Sequence, residues 1–190
     1  GIGIVRLSGP ESLRIAGEVF LAKGGRKPSE FPSHTVRYGH ILGAGEKIDE
    51  VLLTVMRAPR TYTREDTVEI SCHGGMQAAR KALGLVLKHG ARTAEPGEFT
   101  RRAFMNGRID LIQAEAVLDI IKAKTEESLK AAVNQLEGRL SEELNVIRDG
   151  LLDVAAHIEA SIDFPDEDTD IIKEEGLLEK TRAVAKRLEG

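Results

Sequence analysis

Two charged side chains interrupt short apolar segments in the first half of the chain. Arg6 lies within residues 4–7, and Glu69 lies within residues 68–72. Successive side chains of a strand point to opposite faces, so Glu69 shares a face with Ser71 and leaves its apolar neighbours on the other face. An arginine is costly to bury unless a carboxylate pairs with it. Each residue alone is typical of a solvated strand face, but together they indicate a polar pocket on one sheet.

A glycine pair indicates a different chemistry, the binding of an anion. Residues 73–75, His-Gly-Gly, follow a predicted strand and open a predicted helix. Free amides at a helix N-terminus bind anions, although a glycine pair at such a turn more often reflects tight backbone geometry. His73 is more often a hydrogen-bonded turn residue than a base. Cys72 beside it is more often a small core residue than a nucleophile.

The sequence does not support a metal site or a nucleotide phosphate-binding loop. The five histidines show no paired metal-ligand spacing. The acidic run 163–170 departs from an EF-hand loop, because its third residue is Pro165 and its sixth is Asp168 instead of glycine. The sequence has no Gly-Lys dipeptide and therefore no GxxxxGK[ST] phosphate-binding loop. We predict neither a metal site nor a catalytic residue in this chain.

Two kinds of segment must position the polar residues. Up to about residue 105, β-rich segments alternate with glycine-containing turns and helices, and an α+β fold is predicted. The expected strands cover residues 2–7, 34–42, 48–56 and 67–72, and the expected helices cover residues 12–21, 73–89 and 97–105.

From residue 110 onward, apolar residues recur every three or four positions, as in packed helices. Asp110 and Gln113 have the form of a capping box at the first of these helices. A break is expected near Gly138, an end at Asp163, and a third helix over residues 174–188. Three such helices make a thin core, so we expect further helices, from elsewhere or from another chain, to complete it.

Composition narrows the class of protein. With 190 residues, 41% hydrophobic, 31% charged and a net charge of −4, the chain is globular and has no overall basic footprint for nucleic acid. Residues 57–108 hold 10 Lys/Arg and 5 Asp/Glu, whereas residues 159–179 hold nine acids and one Lys. Solvated faces are the favoured interpretation. The alternative is a basic site in the first half and an acidic partner or ion surface in the second.

Cysteine use and hydropathy indicate the compartment. A single cysteine, Cys72, excludes an intramolecular disulfide and fits a reducing environment. We find no apolar run long enough to span a membrane and no signal peptide. We therefore expect a cytoplasmic protein with no membrane contact. The chain begins without Met and stops within a helical pattern, so we interpret both ends as cut from a longer protein.

Seven segments spread over nearly the whole chain form a recognisable series. They are residues 3–9 (GIVRLSG), 62–70 (YTREDTVEI), 72–75 (CHGG), 94–104 (AEPGEFTRRAF), 106–111 (NGRIDL), 113–116 (QAEA) and 162–168 (IDFPDED). In these segments and in their order the chain resembles the N-terminal part of the tRNA-modification GTPase MnmE (TrmE) family. The resemblance implies a mixed-sheet, folate-binding domain over residues 1–105, related to the tetrahydrofolate domain of aminomethyltransferases. An incomplete helical domain over residues 106–190 would follow.

The resemblance also implies an activity for the whole protein. The family forms homodimers and works with the flavoprotein MnmG to add an aminomethyl-type or carboxymethylaminomethyl group at C5 of the tRNA wobble uridine. The one-carbon unit comes from a tetrahydrofolate derivative, the 5-formyl or methylene form. GTP, Mg²⁺ and K⁺ bind a GTPase domain whose motifs these 190 residues lack. We therefore expect no GTPase activity from this chain alone, and Cys72 is no substitute for the family's C-terminal cysteine motif.

The family's folate contacts fall on Arg6, Glu69 and Arg108, the last of which is Lys in some relatives. A carboxylate can accept two hydrogen bonds from the amino-pyrimidinone edge of a pterin. Arginines suit a ring carbonyl or a glutamate tail, and which arginine makes which contact stays open at this point.

Two other functions remain as alternatives. One is a stand-alone folate-dependent aminomethyl transferase, which the coding sequence beyond Gly190 would distinguish. The other is a tRNA-docking module that uses the basic bias of residues 57–108, which a steep salt dependence of binding would favour.

Overall fold

The computed structural model describes residues 1–163 and 174–189. The chain divides into two compact units, Gly1–Ile109 and Asp110–Gly190. The first unit combines a five-stranded sheet with helices, and the described residues of the second form helices. The predicted α+β class is confirmed.

The first unit is built on one antiparallel sheet. Its strands, in chain order, are β1 (Ile2–Ser8), β2 (Phe20–Ala22), β3 (Thr35–Gly43), β4 (Glu46–Met56) and β5 (Thr67–His73). The spatial order is β1-β5-β4-β3-β2, and every neighbouring pair is antiparallel. The expectation of a mixed sheet is therefore wrong. A helix connects β1 to β2, which run in the same direction, but these strands lie at opposite edges and form no parallel pair.

Local turn chemistry explains the central hairpin. β3 and β4 are joined by a two-residue turn, Ala44 and Gly45, with φ angles of 52° and 84°. Positive φ at both positions is the geometry of a type I′ turn, whose twist matches that of the flanking strands. The predicted hairpin is confirmed.

One face of the sheet is covered by helices and the other is open. The helices of this unit are α1 (Ser12–Val19), α2 (Met76–Lys88) and α3 (Glu98–Met105), with a short 3₁₀ turn at Pro28–Glu30. Inward side chains of the strands, such as Val5, Leu53 and Ile70, form the core with residues of α1 and α2, such as Ala16 and Val86. Because side chains alternate along a strand, Arg6 and Glu69 lie on the open face.

The second unit holds one more helix than expected. Its described helices are α4 (Leu111–Lys122), α5 (Glu126–Leu136), α6 (Arg139–Asp163) and α7 (Glu174–Glu189). The predicted capping box at Asp110 is confirmed, since the amide of Gln113 donates to its carboxylate and the amide of Asp110 donates to the Gln113 side chain. A second capping box, at Thr125 and Ser128, begins α5 and splits the first predicted helix in two.

The expected positions of the later helices are confirmed where the structure describes them. Gly138, with a φ of 89°, separates α5 from α6, and the helix expected over residues 174–188 is α7. The part of the acidic run that follows Asp163 lies outside the described residues. None of the helices described is both long and apolar enough to cross a lipid bilayer.

Candidate functional site

Arg6 and Glu69 form an ion pair on the open face of the sheet. They are directly opposite in the register of β1 and β5, and Arg6 Nε donates to Glu69 Oε1 at 2.6 Å. The side chains are 45% and 23% exposed, so solvent still reaches the pair. The structure thus brings together two of the three residues that the sequence singled out.

A cavity of about 220 Å³ opens beside this ion pair. Its lining combines a carboxylate and a guanidinium with hydroxyl groups and two aromatic rings: Arg6, Met56, Tyr62, Thr63, Thr67, Glu69 and Phe99. The guanidinium carbon of Arg6 is 5.7 Å from the centre of the Phe99 ring, within range of a cation–π interaction. The cavity therefore offers flat apolar walls together with groups that form directional hydrogen bonds.

Arg108 is placed by the way α3 ends. Gly107 has a φ of 68°, its amide donates to the carbonyl of Phe104, and the amide of Arg108 donates to the carbonyl of Ala103, each at 2.9 Å. This pair of bonds is a Schellman motif, which fixes the backbone direction after a helix. The guanidinium of Arg108 then lies 5.1 Å from the centre of the Tyr62 ring. Arg108 is thus separated from the cavity by one ring and is not part of its lining.

The segment that carries Tyr62 is bound to α3 and to the residue after it. The hydroxyl groups of Tyr62 and Thr100 are 3.0 Å apart. The side-chain amide of Asn106 donates to the carbonyl of Thr63 at 2.6 Å, and Arg64 donates to the carbonyl of Asn106 at 3.1 Å. These contacts bring residues of sequence-distant segments to the same cavity.

Four contributing residues escaped the sequence reasoning: Tyr62, Glu98, Phe99 and Arg102. The two aromatic residues lie inside segments that carry the family resemblance, but nothing in their spacing assigns them to a cavity. Glu98 and Arg102 stand four positions apart on α3 and form an ion pair. That spacing is a recognisable signal for a helical Glu–Arg contact.

Within the glycine pair after β5, close backbone packing requires glycine at Gly74. A Cβ atom built on Gly74 would lie 2.2 Å from the carbonyl carbon of Gly1, so only glycine fits there. His73 is hydrogen-bonded, as favoured from the sequence, but it ends β5 instead of lying in a turn: its ring nitrogen Nδ1 lies 2.7 Å from Asp49 on β4, which also accepts from the His73 amide. Burial raises the pKa of Asp49, but the hydrogen bonds and charge of His73 together outweigh this and lower it.

Cys72 is a core residue. Its side chain is buried among the apolar residues of the sheet, and burial raises the pKa of its thiol. A raised pKa keeps the sulfur protonated at neutral pH, and the thiolate is the nucleophilic form. The interpretation as a small buried residue is confirmed.

A larger cavity, of about 430 Å³, shares Arg6 and Phe99 with the site. Its lining comes from β1, α1, α2, α3 and the segment before α3, and it combines apolar with charged side chains. Only the smaller of these two cavities has both partners of the Arg6–Glu69 ion pair in its lining, together with the rings of Tyr62 and Phe99, so we take it as the candidate for specific recognition. Among the described residues, no group of three or more His, Cys, Asp or Glu is arranged to hold a metal ion.

Comparison with known proteins assigns both units to one family. Residues 1–108 match the family model described as "GTP-binding protein TrmE N-terminus", and residues 111–190 match the "MnmE helical domain" model. The chain belongs to the MnmE (TrmE) family. The two MnmE models meet within three residues of the division between the compact units, at Ile109 and Asp110.

Individual MnmE proteins align over almost the whole chain. The tRNA modification GTPase MnmE of Bacillus velezensis is 51% identical over 191 residues, covering 99% of this chain and 42% of that protein. The protein of the same description from Alkaliphilus metalliredigens is 50% identical over 190 residues, covering 99% and 41%. That of Geobacillus thermodenitrificans is 53% identical over 169 residues, covering 88% and 37%. The chain spans about two fifths of the length of these relatives.

Proposed function

We propose that the first unit binds a tetrahydrofolate derivative, in the 5-formyl or methylene form, at the cavity beside Arg6 and Glu69. The observation that carries this proposal is the ion pair at the cavity wall. In the described part of the chain, Glu69 Oε2 accepts no hydrogen bond and the terminal nitrogens of Arg6 donate none. One carboxylate oxygen of Glu69 and the terminal nitrogens of Arg6 are therefore free to bind a ligand beside two aromatic rings. This combination fits the polar edge and flat face of a pterin.

In this proposal Arg6 and Arg108 have different roles. Glu69 accepts from the N–H groups of the amino-pyrimidinone edge, and Arg6, bonded to Glu69, donates to the ring carbonyl beside that edge. Arg108 is separated from this pair by the Tyr62 ring, so its charge serves the anionic glutamate tail at the other end of the ligand. When bound, the folate supplies the one-carbon unit, while these side chains orient it.

The whole protein's activity is proposed from the family. We propose that this chain is part of a GTPase that acts in the cytoplasm with the flavoprotein MnmG. Together they add an aminomethyl-type or carboxymethylaminomethyl group at C5 of the tRNA wobble uridine. The relatives are named tRNA modification GTPases. GTP, Mg²⁺ and K⁺ would be held by a GTPase domain that these 190 residues do not include. Without a phosphate-binding loop the chain alone should hydrolyse no GTP.

We also propose that the first unit forms a homodimer through the open face of its sheet. One cross-strand row on this face runs from Ile4 through Ser71 and Leu52 to Tyr38, and its three large members are each about half exposed. Open sheet faces of this kind pack on one another in sandwiches. A second copy presents the same apolar row, which makes the contact self-complementary under a twofold axis.

Replacing Glu69 tests the folate proposal. Binding of 5-formyl-tetrahydrofolate is measured by titration calorimetry for the chain, for Glu69→Ala and for Glu46→Ala, a matched change at an exposed glutamate of β4. Loss of charge-assisted hydrogen bonds should weaken binding about tenfold or more in Glu69→Ala, and Glu46→Ala should bind like the unchanged chain. A folded chain that does not bind, or equal affinities for all three proteins, would contradict the proposal.

A further inference from the structure

A buried carboxylate lies at the first residue of α3. Glu98 is 3% exposed and accepts from Arg92, which donates through both terminal nitrogens. It also accepts from the amide of Glu95 at 2.9 Å and from Arg102, through Nε at 3.0 Å and Nη2 at 2.8 Å. This carboxylate is therefore fully paired although it is almost inaccessible to water.

Arg102 extends this contact beyond α3. Its remaining nitrogen, Nη1, donates to both oxygens of Glu65, at 3.1 and 3.0 Å. Glu65 accepts in turn from the hydroxyl of Ser8, at the end of β1, at 2.8 Å. One guanidinium thus bridges two carboxylates on different segments, and we call Glu98, Arg102 and Glu65 the carboxylate bridge. A guanidinium has the planar fork that this geometry requires, whereas a lysine offers a single nitrogen.

The carboxylate bridge joins the two segments that carry the aromatic residues of the site. Phe99 follows Glu98 on α3, and Tyr62 lies three residues before Glu65. Both rings line the cavity, whereas Arg102 does not. A shift of α3 relative to the segment around Glu65 would therefore change the distance between the cavity walls without removing any group that lines it.

We propose that Arg102 is the positioning residue of the folate site: through Glu98 and Glu65 it fixes the separation of Phe99 and Tyr62. The proposal rests on the proposed folate function. Arg102 acts through these two rings and through Arg108, whose guanidinium lies over Tyr62. Groups that must be held to fractions of an ångström need such supporting contacts behind them.

The first measurement compares two neighbouring arginines. Arg102→Lys keeps the charge but removes the fork, and Arg101→Lys makes the same change at an exposed residue whose contact with Glu95 is 3.3 Å long. By calorimetry, 5-formyl-tetrahydrofolate should bind Arg102→Lys about tenfold more weakly than the unchanged chain, because the loss of bonds to Glu98 and Glu65 lets the rings of Phe99 and Tyr62 shift. Arg101→Lys should bind with unchanged affinity.

The second measurement uses no ligand. The chain has two tyrosines and no tryptophan, so in a Tyr38→Phe background the intrinsic emission comes from Tyr62 alone. Tyr62 is half-buried, and loosening its segment should raise the constant for quenching of its emission by acrylamide. We expect this rise in Arg102→Lys and in Glu65→Gln, which breaks the bridge at its other end, and no rise in Arg101→Lys.

The outcomes separate this proposal from the one on which it rests. If the folded, unchanged chain does not bind 5-formyl-tetrahydrofolate, the proposed function fails. The positioning role alone fails if the unchanged chain binds and Arg102→Lys has the same affinity and the same quenching constant as the unchanged chain. Should Arg102→Lys not fold, Glu65→Gln decides in the same way, because a neutral side chain of the same shape at this part-exposed position leaves the helix intact. Weaker binding together with stronger quenching supports the positioning role.

Discussion

Glu98 keeps its negative charge in a place that water hardly reaches. Hydrogen bonds, first from Arg92 and then from the Glu95 amide and Arg102, hold the pKa of the Glu98 carboxyl far below its usual range. A carboxyl whose pKa is depressed in the folded state contributes stability above the unfolded-state pKa. For a glutamate that value is about 4.3. The contribution is lost as the pH falls below it toward the folded-state pKa.

We therefore expect Glu98→Gln to change how the free energy of unfolding depends on pH below about 4.3. Near pH 3 the unfolded chain binds a proton at Glu98 and the folded chain does not, so the unchanged chain loses stability as the pH falls from about 4.3. The Glu98→Gln variant should have a lower free energy of unfolding at neutral pH, and this free energy should fall less as the pH is lowered. Urea unfolding at a series of pH values measures the free energy of unfolding of each protein. Glu95→Gln, at a 68% exposed glutamate, is the control. If the free energy of unfolding falls equally with pH in Glu98→Gln and in the unchanged chain, the depressed pKa of Glu98 is contradicted.

The site residues differ in how far the sequence could reveal them. Arg6 and Glu69 stand out because each interrupts an apolar strand, and alternation predicts the faces they take. Their ion pair joins residues 63 positions apart, so it depends on the register of β1 and β5, which no local pattern fixes. The contact of Arg108 with Tyr62 depends on the end of α3 in the same way. Only the resemblance, and no pattern of spacing, draws attention to Arg108.

At the level of elements, the sequence predicts those strands and helices whose turn and end residues agree with the fold. The hairpin of β3 and β4 has its turn residues, and α3 has a glycine at each end. The helix predicted over residues 12–21 is wrong at its end, where β2 begins at Phe20, although the apolar spacing of these residues is helical. Pairing with β3 decides its conformation, which is a tertiary contact that overrides local propensity.

Gly39 provides a test of that tertiary contact. A Cβ atom there would lie 2.4 Å from the carbonyl oxygen of Leu21 and 2.5 Å from the ring of Phe20. Gly39→Ala should therefore destabilise the fold by about 1–3 kcal/mol, as overpacking does. Gly84→Ala, in the middle of α2 with no atom within 4 Å of the new methyl group, should stabilise it by up to about 1 kcal/mol. Urea unfolding of both variants measures the difference, and effects of the same sign would contradict this account of β2.

At the level of the whole molecule, large apolar side chains remain exposed on both units. In the helical unit they include Leu118, Ile121 and Leu152 on α4 and α6, in keeping with the thin core expected from the spacing of apolar residues. In the first unit they include the cross-strand row of the open sheet face, beside the row that holds Arg6 and Glu69, and residues of α2 and α3. Exposed apolar surface on either unit could drive self-association, so the proposed dimer must be assigned to one of them by experiment.

An aspartate substituted on each apolar surface distinguishes the two candidate dimer interfaces. Leu52 lies within the cross-strand row of the open face and is 47% exposed, and Leu118 on α4 is 50% exposed. A carboxylate at position 52 would have to be desolvated in a sheet-on-sheet contact, which is costly without a partner. Leu52→Asp should therefore give the monomer mass by light scattering at micromolar concentration, with an unchanged circular dichroism spectrum. Leu118→Asp should remain a dimer. If Leu118→Asp dissociates while Leu52→Asp does not, the helical unit makes the contact, and the open face must be given up as the dimer interface.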